Sequence, residues 1–202
     1  MRPLAVLALS GSLRRASLNT AMLTMAADCA PPGLRVELHR GLGGLPLFNP
    51  DLEAREPALV ERLRHDIADA DGLLIASPEY AHGVSGVMKN ALDWMVATGV
   101  FVAKPVILWN ASPRASHALA ALRETLTVMS SRMIDEAGLE VLIKSPEAGA
   151  MPVNPAPHAM RHALVVLGDM LLAERANQTR LRSLIATPIT LTRPPKGNAA
   201  AW

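Results

Sequence analysis

Apolar residues fall along this chain in two alternating patterns. Short continuous runs, Leu4 to Leu9, Leu34 to Leu38, Gly72 to Ala76, Val106 to Trp109 and Leu139 to Ile143, carry few polar interruptions. Runs of that length read as strands buried on both faces. Between them the apolar residues recur at three and four. Leu18, Ala21, Met22, Met25, Ala26 and Cys29 form one such face, Leu59, Val60, Leu63 and Ile67 a second, and Met88, Ala91, Leu92, Met95 and Val96 a third. That spacing predicts amphipathic helices, and the pattern extends to two more, over Ser116 to Met129 and His158 to Ala176.

Strand followed by helix, five times over, predicts an α/β fold: a five-stranded parallel sheet with helices on both faces and right-handed crossovers. Residues 1–186 are expected to form one domain. Residues 187–202 form a tail in which Pro188, Pro194 and Pro195 exclude a continued helix or a central strand. Within it Ile189 and Leu191 alternate with threonines as an edge strand does, and Trp202 gains by burial. Packing against a neighbouring subunit and a loose end are both open readings of this segment.

Composition narrows the class. At 202 residues, half of them hydrophobic, the chain is long enough for one sizeable core. Twenty basic residues against 18 acidic ones leave a net charge of +2, scattered along the sequence, which argues against a nucleic-acid partner. The single cysteine, Cys29, allows no intrachain disulfide and fits a reducing cytoplasm. The apolar run after Arg2 is too short for an export signal, and no segment approaches a membrane span.

In a parallel sheet of this kind, ligands lie beyond the carboxyl ends of the strands, so the loops there carry the chemistry. The first, "SGSLRRASLNT", lacks the G-x-G-x-x-G that lets a backbone approach a pyrophosphate. Its Ser12, Arg14, Ser17 and Asn19, with Ser10 and Thr20 beside them, suit a terminal phosphate, which takes hydroxyls, amides and an arginine. A helix starting near Ser17 adds free N–H groups and the positive end of its dipole. The simpler alternative is that Ser17 is an N-cap among solvated arginines.

The third loop, "SPEYAHGVSGVMKNALDW", also joins a strand to a helix. Pro78 fixes its own backbone and holds Ser77 extended. Tyr80 is the only tyrosine in a chain with 3% aromatic residues. Gly83 and Gly86 permit close backbone approach to a ligand. His82 reads either as a group facing substrate or as an ordinary loop histidine. Lys89, Asn90 and Asp93 share a polar helix face and are expected to serve structural or interface roles.

Together, "GSLRRASLN" and "PEYAHGVSGVMKNALDW" resemble the NADPH-dependent FMN reductase family, flavodoxin-like enzymes that include quinone, chromate and azo-dye reductases. The resemblance covers roughly residues 4–135. It implies a flavodoxin-like three-layer sandwich that binds FMN and uses NADPH or NADH as co-substrate. It places Ser12, Leu13, Arg14, Ser17 and Asn19 at the FMN phosphate, and Pro78, Glu79, Tyr80, Ala81 and His82 against the isoalloxazine ring. Ser112, in "NASPR", is the implied contact after the fourth strand. Ala81 stands where the family usually has asparagine, and Ser85 where proline is common. The implied activity is ping-pong reduction of a flavin, quinone or other small electron acceptor, with no catalytic residue outside the flavin. An FMN-binding electron carrier or regulatory protein is the alternative, although such carriers are strongly acidic and this chain is not. The resemblance also implies a homodimer or homotetramer, with Trp94 at the rim of its helix's apolar arc available to a partner.

Overall fold

In the computed structural model of the protein, the described residues are 2–112, 115–140 and 156–186, with side chains described over 157–180 in the last segment. The first strand, β1 (Leu4–Ser10), leads into α1 (Leu18–Cys29), and β2 (Leu34–Leu38) follows. A connection containing two short 3₁₀ turns then reaches α2 (Ala58–Asp69) and β3 (Gly72–Ala76). A two-stranded hairpin, β4 (Glu79–Tyr80) and β5 (Gly83–Val84), precedes α3 (Gly86–Met95). The chain continues through β6 (Pro105–Asn110), α4 (Ser116–Val128), β7 (Arg132–Met133), β8 (Leu139–Glu140) and α5 (Ala156–Ala186).

The main sheet is parallel in the order β2-β1-β3-β6-β7, with β8 also paired to β6. Strand residues alternate between two cores. Val6, Ala8, Leu74, Ile107 and Trp109 face α1 and α5, where Met22, Leu23, Leu164 and Leu167 are fully buried. Leu7, Leu9, Leu73, Ile75 and Leu108 face α2, α3 and α4, against Leu63, Ile67, Met88, Leu92 and Leu126. This is the three-layer sandwich predicted by continuous apolar strands, since each face needs its own helical cover.

The fifth strand position departs from expectation. The expected strand begins at Leu139 as β8, with Leu139–Glu140 against Trp109–Asn110, but β6 has a second short neighbour that was not expected, Arg132–Met133 against Pro105–Val106. A 3₁₀ turn over Asp135–Ala137 separates them, and it is pinned where buried Trp109 donates its Nε1–H to the Ala137 carbonyl at 3.0 Å. Among the described residues the sheet therefore has six strands in five positions, and residues 141–143 of the expected strand lie outside them. α5 runs past Ala176 to Ala186, ten residues beyond the periodic stretch, and those ten residues contain neither glycine nor proline to stop it. The expected tail, residues 187–202, lies outside the described residues.

Trp94 also differs from expectation. It is buried at 3% exposure within its own chain, edge-to-face with Phe48 at 5.1 Å, and its Nε1–H donates to the Pro46 carbonyl at 2.8 Å. The loop bearing Pro46 and Phe48 folds over it, so Trp94 offers no surface to a partner. Asn90 holds the same loop from both sides, accepting from Phe48 N–H at 2.8 Å and donating to the Pro46 carbonyl at 3.0 Å. Lys89 and Asp93 pair with each other one helical turn apart. The structural role expected of this polar face is thereby made specific for Asn90.

Candidate functional site

At the carboxyl end of β1 the chain turns sharply through Gly11. A Cβ there would lie 2.4 Å from Ser77 Oγ and 2.9 Å from Ser85 Oγ, so only glycine fits. The Gly11 N–H donates to the Ala76 carbonyl at 2.8 Å, and its own carbonyl accepts from Ser85 Oγ at 2.7 Å. Ser85 also caps α3, accepting from Met88 N–H at 3.3 Å. By contrast, no atom lies within 4 Å of a Cβ built on Gly86, and Gly83 meets only ordinary contact.

The hydroxyls of the first loop divide between scaffold and cleft. Ser10 Oγ and Thr20 Oγ1 bond each other at 2.8 Å, and Ser10 Oγ accepts from Ser12 N–H at 3.3 Å. Ser17 caps α1 by accepting from Thr20 N–H at 3.1 Å. The N-cap reading of Ser17 is therefore correct, and it leaves the N–H groups of Leu18 and Asn19 at the helix start without an acceptor among the described residues. Arg14 is exposed and, among the described residues, has no ion pair or hydrogen bond.

The third loop is a hairpin whose two-residue turn, Ala81 and His82, has φ of 50° and 62°. Positive φ at both central positions is the pattern of a type I′ turn, favoured by Asn-Gly and costing other L residues about 1 kcal/mol each. Two ties hold this hairpin to the first turn of α4. Glu79 Oε2 accepts from Ala118 N–H at 2.9 Å, supplying the cap that Ala115 cannot. The His82 ring stacks on His117, with centroids 4.2 Å apart and planes 23° from parallel. Tyr80 is 58% exposed at the end of β4.

Beyond β6, Asn110 Oδ1 accepts from Ser112 N–H at 3.0 Å, which fixes the amide so that its Nδ2 is the free end. Among the described residues, that Nδ2 and the Asn19 Oδ1 are buried without a hydrogen-bond partner. Buried polar groups are nearly always paired, so two orphans lining one cleft mark a place where something else supplies the bonds.

The three loops enclose a cleft of about 380 Å³. Of the residues expected from the sequence, Ser12, Arg14, Ser17, Asn19, Pro78, Glu79, Tyr80 and Ser112 line it. Leu13, Ala81 and His82 do not: the Leu13 side chain lies over Gly43, and the turn of the hairpin projects beyond the lining. Asn110 was missed, as were Ala16, Leu18, Ser77, Ala111 and Ala115. A polar residue closing the apolar run "VILWN" was the available signal for Asn110. A larger groove of about 870 Å³ follows the β2 edge but shares no lining residue with the cleft, and in it Arg35 pairs with Glu37 and Arg62 with Asp66. The cleft at the strand ends, with its unpaired arginine and orphaned amides, is the candidate site.

The NADPH-dependent FMN reductase family model matches residues 4–145 of this chain. The chain belongs to that family. It is 40% identical over 146 residues to an NAD(P)H-dependent FMN reductase of Pseudomonas aeruginosa, an alignment covering 69% of this chain and 77% of that protein. Over 115 residues it is 43% identical to an NADPH:quinone oxidoreductase of Arabidopsis thaliana, covering 54% of this chain and 55% of that one. The solved structure of a flavoenzyme NAD(P)H:(acceptor) oxidoreductase from Paracoccus denitrificans superposes with a TM-score of 0.70 at 25% identity, over 84% of this chain and 97% of that one. The stretch matched to the FMN reductase family contains all three loops of the cleft and ends ahead of α5.

Proposed function

We propose that this chain is an FMN-dependent NAD(P)H oxidoreductase that reduces flavins, quinones or similar small acceptors. The observation that carries the reading is the pair of orphaned buried amides, Asn19 and Asn110, facing one cleft with the unpaired Arg14. The donor set fits FMN. Arg14, the Ser12 hydroxyl and the free N–H groups opening α1 suit a phosphate dianion, and Asn110 Nδ2 supplies a donor deeper in the cleft. Glu79 holds the hairpin against α4, and Pro78 and Tyr80 form the wall where a flat ring would lie. Held there, FMN would supply the redox chemistry, hydride acceptance from NAD(P)H and electron delivery to the acceptor. The chain's part is to bind, orient and shield that group, and no protein acid or base is assigned.

A cytoplasmic setting and a homodimer or homotetramer belong to the same reading. Among the described residues no helix is long and apolar enough to cross a membrane. The functional reading is tested by the visible spectrum of the purified chain reconstituted with FMN, followed by anaerobic mixing with NADPH. Bound flavin that bleaches with NADPH and recovers with a quinone is the expected result. Bound flavin that NADPH leaves oxidised points to the electron-carrier alternative, and no flavin binding refutes both.

A further inference from the structure

Resting on that reading, we propose that His117 is a positioning residue. Its imidazole, stacked on His82, holds the Ala81–His82 turn in its left-handed conformation and so keeps Tyr80 at the mouth of the cleft. The turn needs such support. Neither residue is glycine or asparagine, both have positive φ, and β4 and β5 pair over only two residues each. A hairpin that short does not enforce its own turn. Both ties from it, the Glu79 bond to Ala118 N–H and the His82 stack on His117, end on the first turn of α4. Glu79 precedes the turn and fixes the incoming strand alone, whereas the His82 ring fixes the turn itself. Tyr80 follows Glu79 directly and pairs through its backbone with Gly83, while its side chain makes no hydrogen bond among the described residues, so the hairpin backbone sets its position.

The chain's single tyrosine makes this testable with and without the cofactor, because fluorotyrosine incorporated throughout labels Tyr80 alone. Its fluorine NMR resonance then reports the hairpin in the full chain, free and loaded with FMN. His117→Ala is expected to shift or split that resonance in both states. It should also raise the FMN dissociation constant and the KM for a quinone acceptor, each about two- to tenfold, while kcat of the FMN-saturated chain stays unchanged, as loss of one aromatic pair at the cleft mouth requires. His117→Phe restores a stacked ring without imidazole chemistry, and Ala81→Gly in the His117→Ala chain removes the backbone strain. Each should return both the resonance and KM to parent values. A parent-like resonance in His117→Ala, or failure of both restoring changes, overturns the proposal. If the parent chain neither binds FMN nor reduces quinones, the functional reading fails, while the resonance of the free chain still decides the role of His117.

Discussion

Ser85 Oγ donates a 2.7 Å hydrogen bond to the carbonyl of Gly11, across 74 residues of sequence. One hydroxyl thereby joins the first and third loops of the cleft and also caps α3. Replacing Ser85 with alanine leaves a buried carbonyl without a donor and a helix without its cap. The expected cost is about 1–3 kcal/mol. A lowered urea midpoint with an unchanged m-value would bear this out, and an unshifted midpoint would show that water takes the hydroxyl's place.

Among the described residues, Arg14 lines the cleft without an ion pair or hydrogen bond. Arg14→Ala should weaken FMN binding by about 1.5–3 kcal/mol, the range for a hydrogen bond to a charged group. Riboflavin, lacking the phosphate, should bind variant and parent alike. Titration by flavin fluorescence quenching checks both, and an equal loss for riboflavin would disprove the phosphate assignment.

Asn90 holds the loop over Trp94 through two bonds, to Phe48 N–H and the Pro46 carbonyl. Asn90→Ala should cost about 1–3 kcal/mol. For a chain of this size each kcal/mol lowers Tm by about 2–4 °C. Calorimetry reads the shift, and Trp fluorescence should move toward the red as the cover loosens.

His39 carries a pH dependence. Burial holds its imidazole below the ordinary value of 6.5, outweighing the hydrogen bond and charge of Asp66, which favour protonation, and Arg62 adds to the lowering. The neutral ring is thus the folded form. As pH falls below 6.5 the unfolded chain takes up a proton before the folded one does, so stability falls, and the loss levels off below the folded value. Urea midpoints measured from neutral pH into the acid range should show this slope. His39→Gln should flatten it, and a parallel slope in that variant would assign the effect elsewhere.

Assembly is checked by light scattering of the purified chain at micromolar concentration. A homodimer or homotetramer is expected. Since Trp94 is covered by its own loop, Trp94→Phe should leave the mass unchanged, whereas a 21.5 kDa monomer that still reduces quinones would remove the oligomer from the reading.

The sequence by itself determined the layered fold. Apolar continuity and helical periodicity are local properties, and each of the first four strands and helices lies within a few residues of where those patterns put it. Loop chemistry was legible in the same way: serines, an arginine and an asparagine beyond β1, and a proline-started turn beyond β3. Only the tertiary structure decided which of those polar groups remain free. Ser10 and Thr20 satisfy each other, Glu79 caps a helix 39 residues away, and Ser85 serves a carbonyl 74 residues back, so none of the three is known from its own neighbourhood. Trp94 looked available at the rim of its helix until a distant loop was seen to cover it. The turn that separates the unexpected β7 from β8 is held likewise by a distant group, Trp109 reaching the Ala137 carbonyl. Periodicity records which way a side chain points, whereas a hydrogen bond depends on what the rest of the chain brings within 3 Å of it.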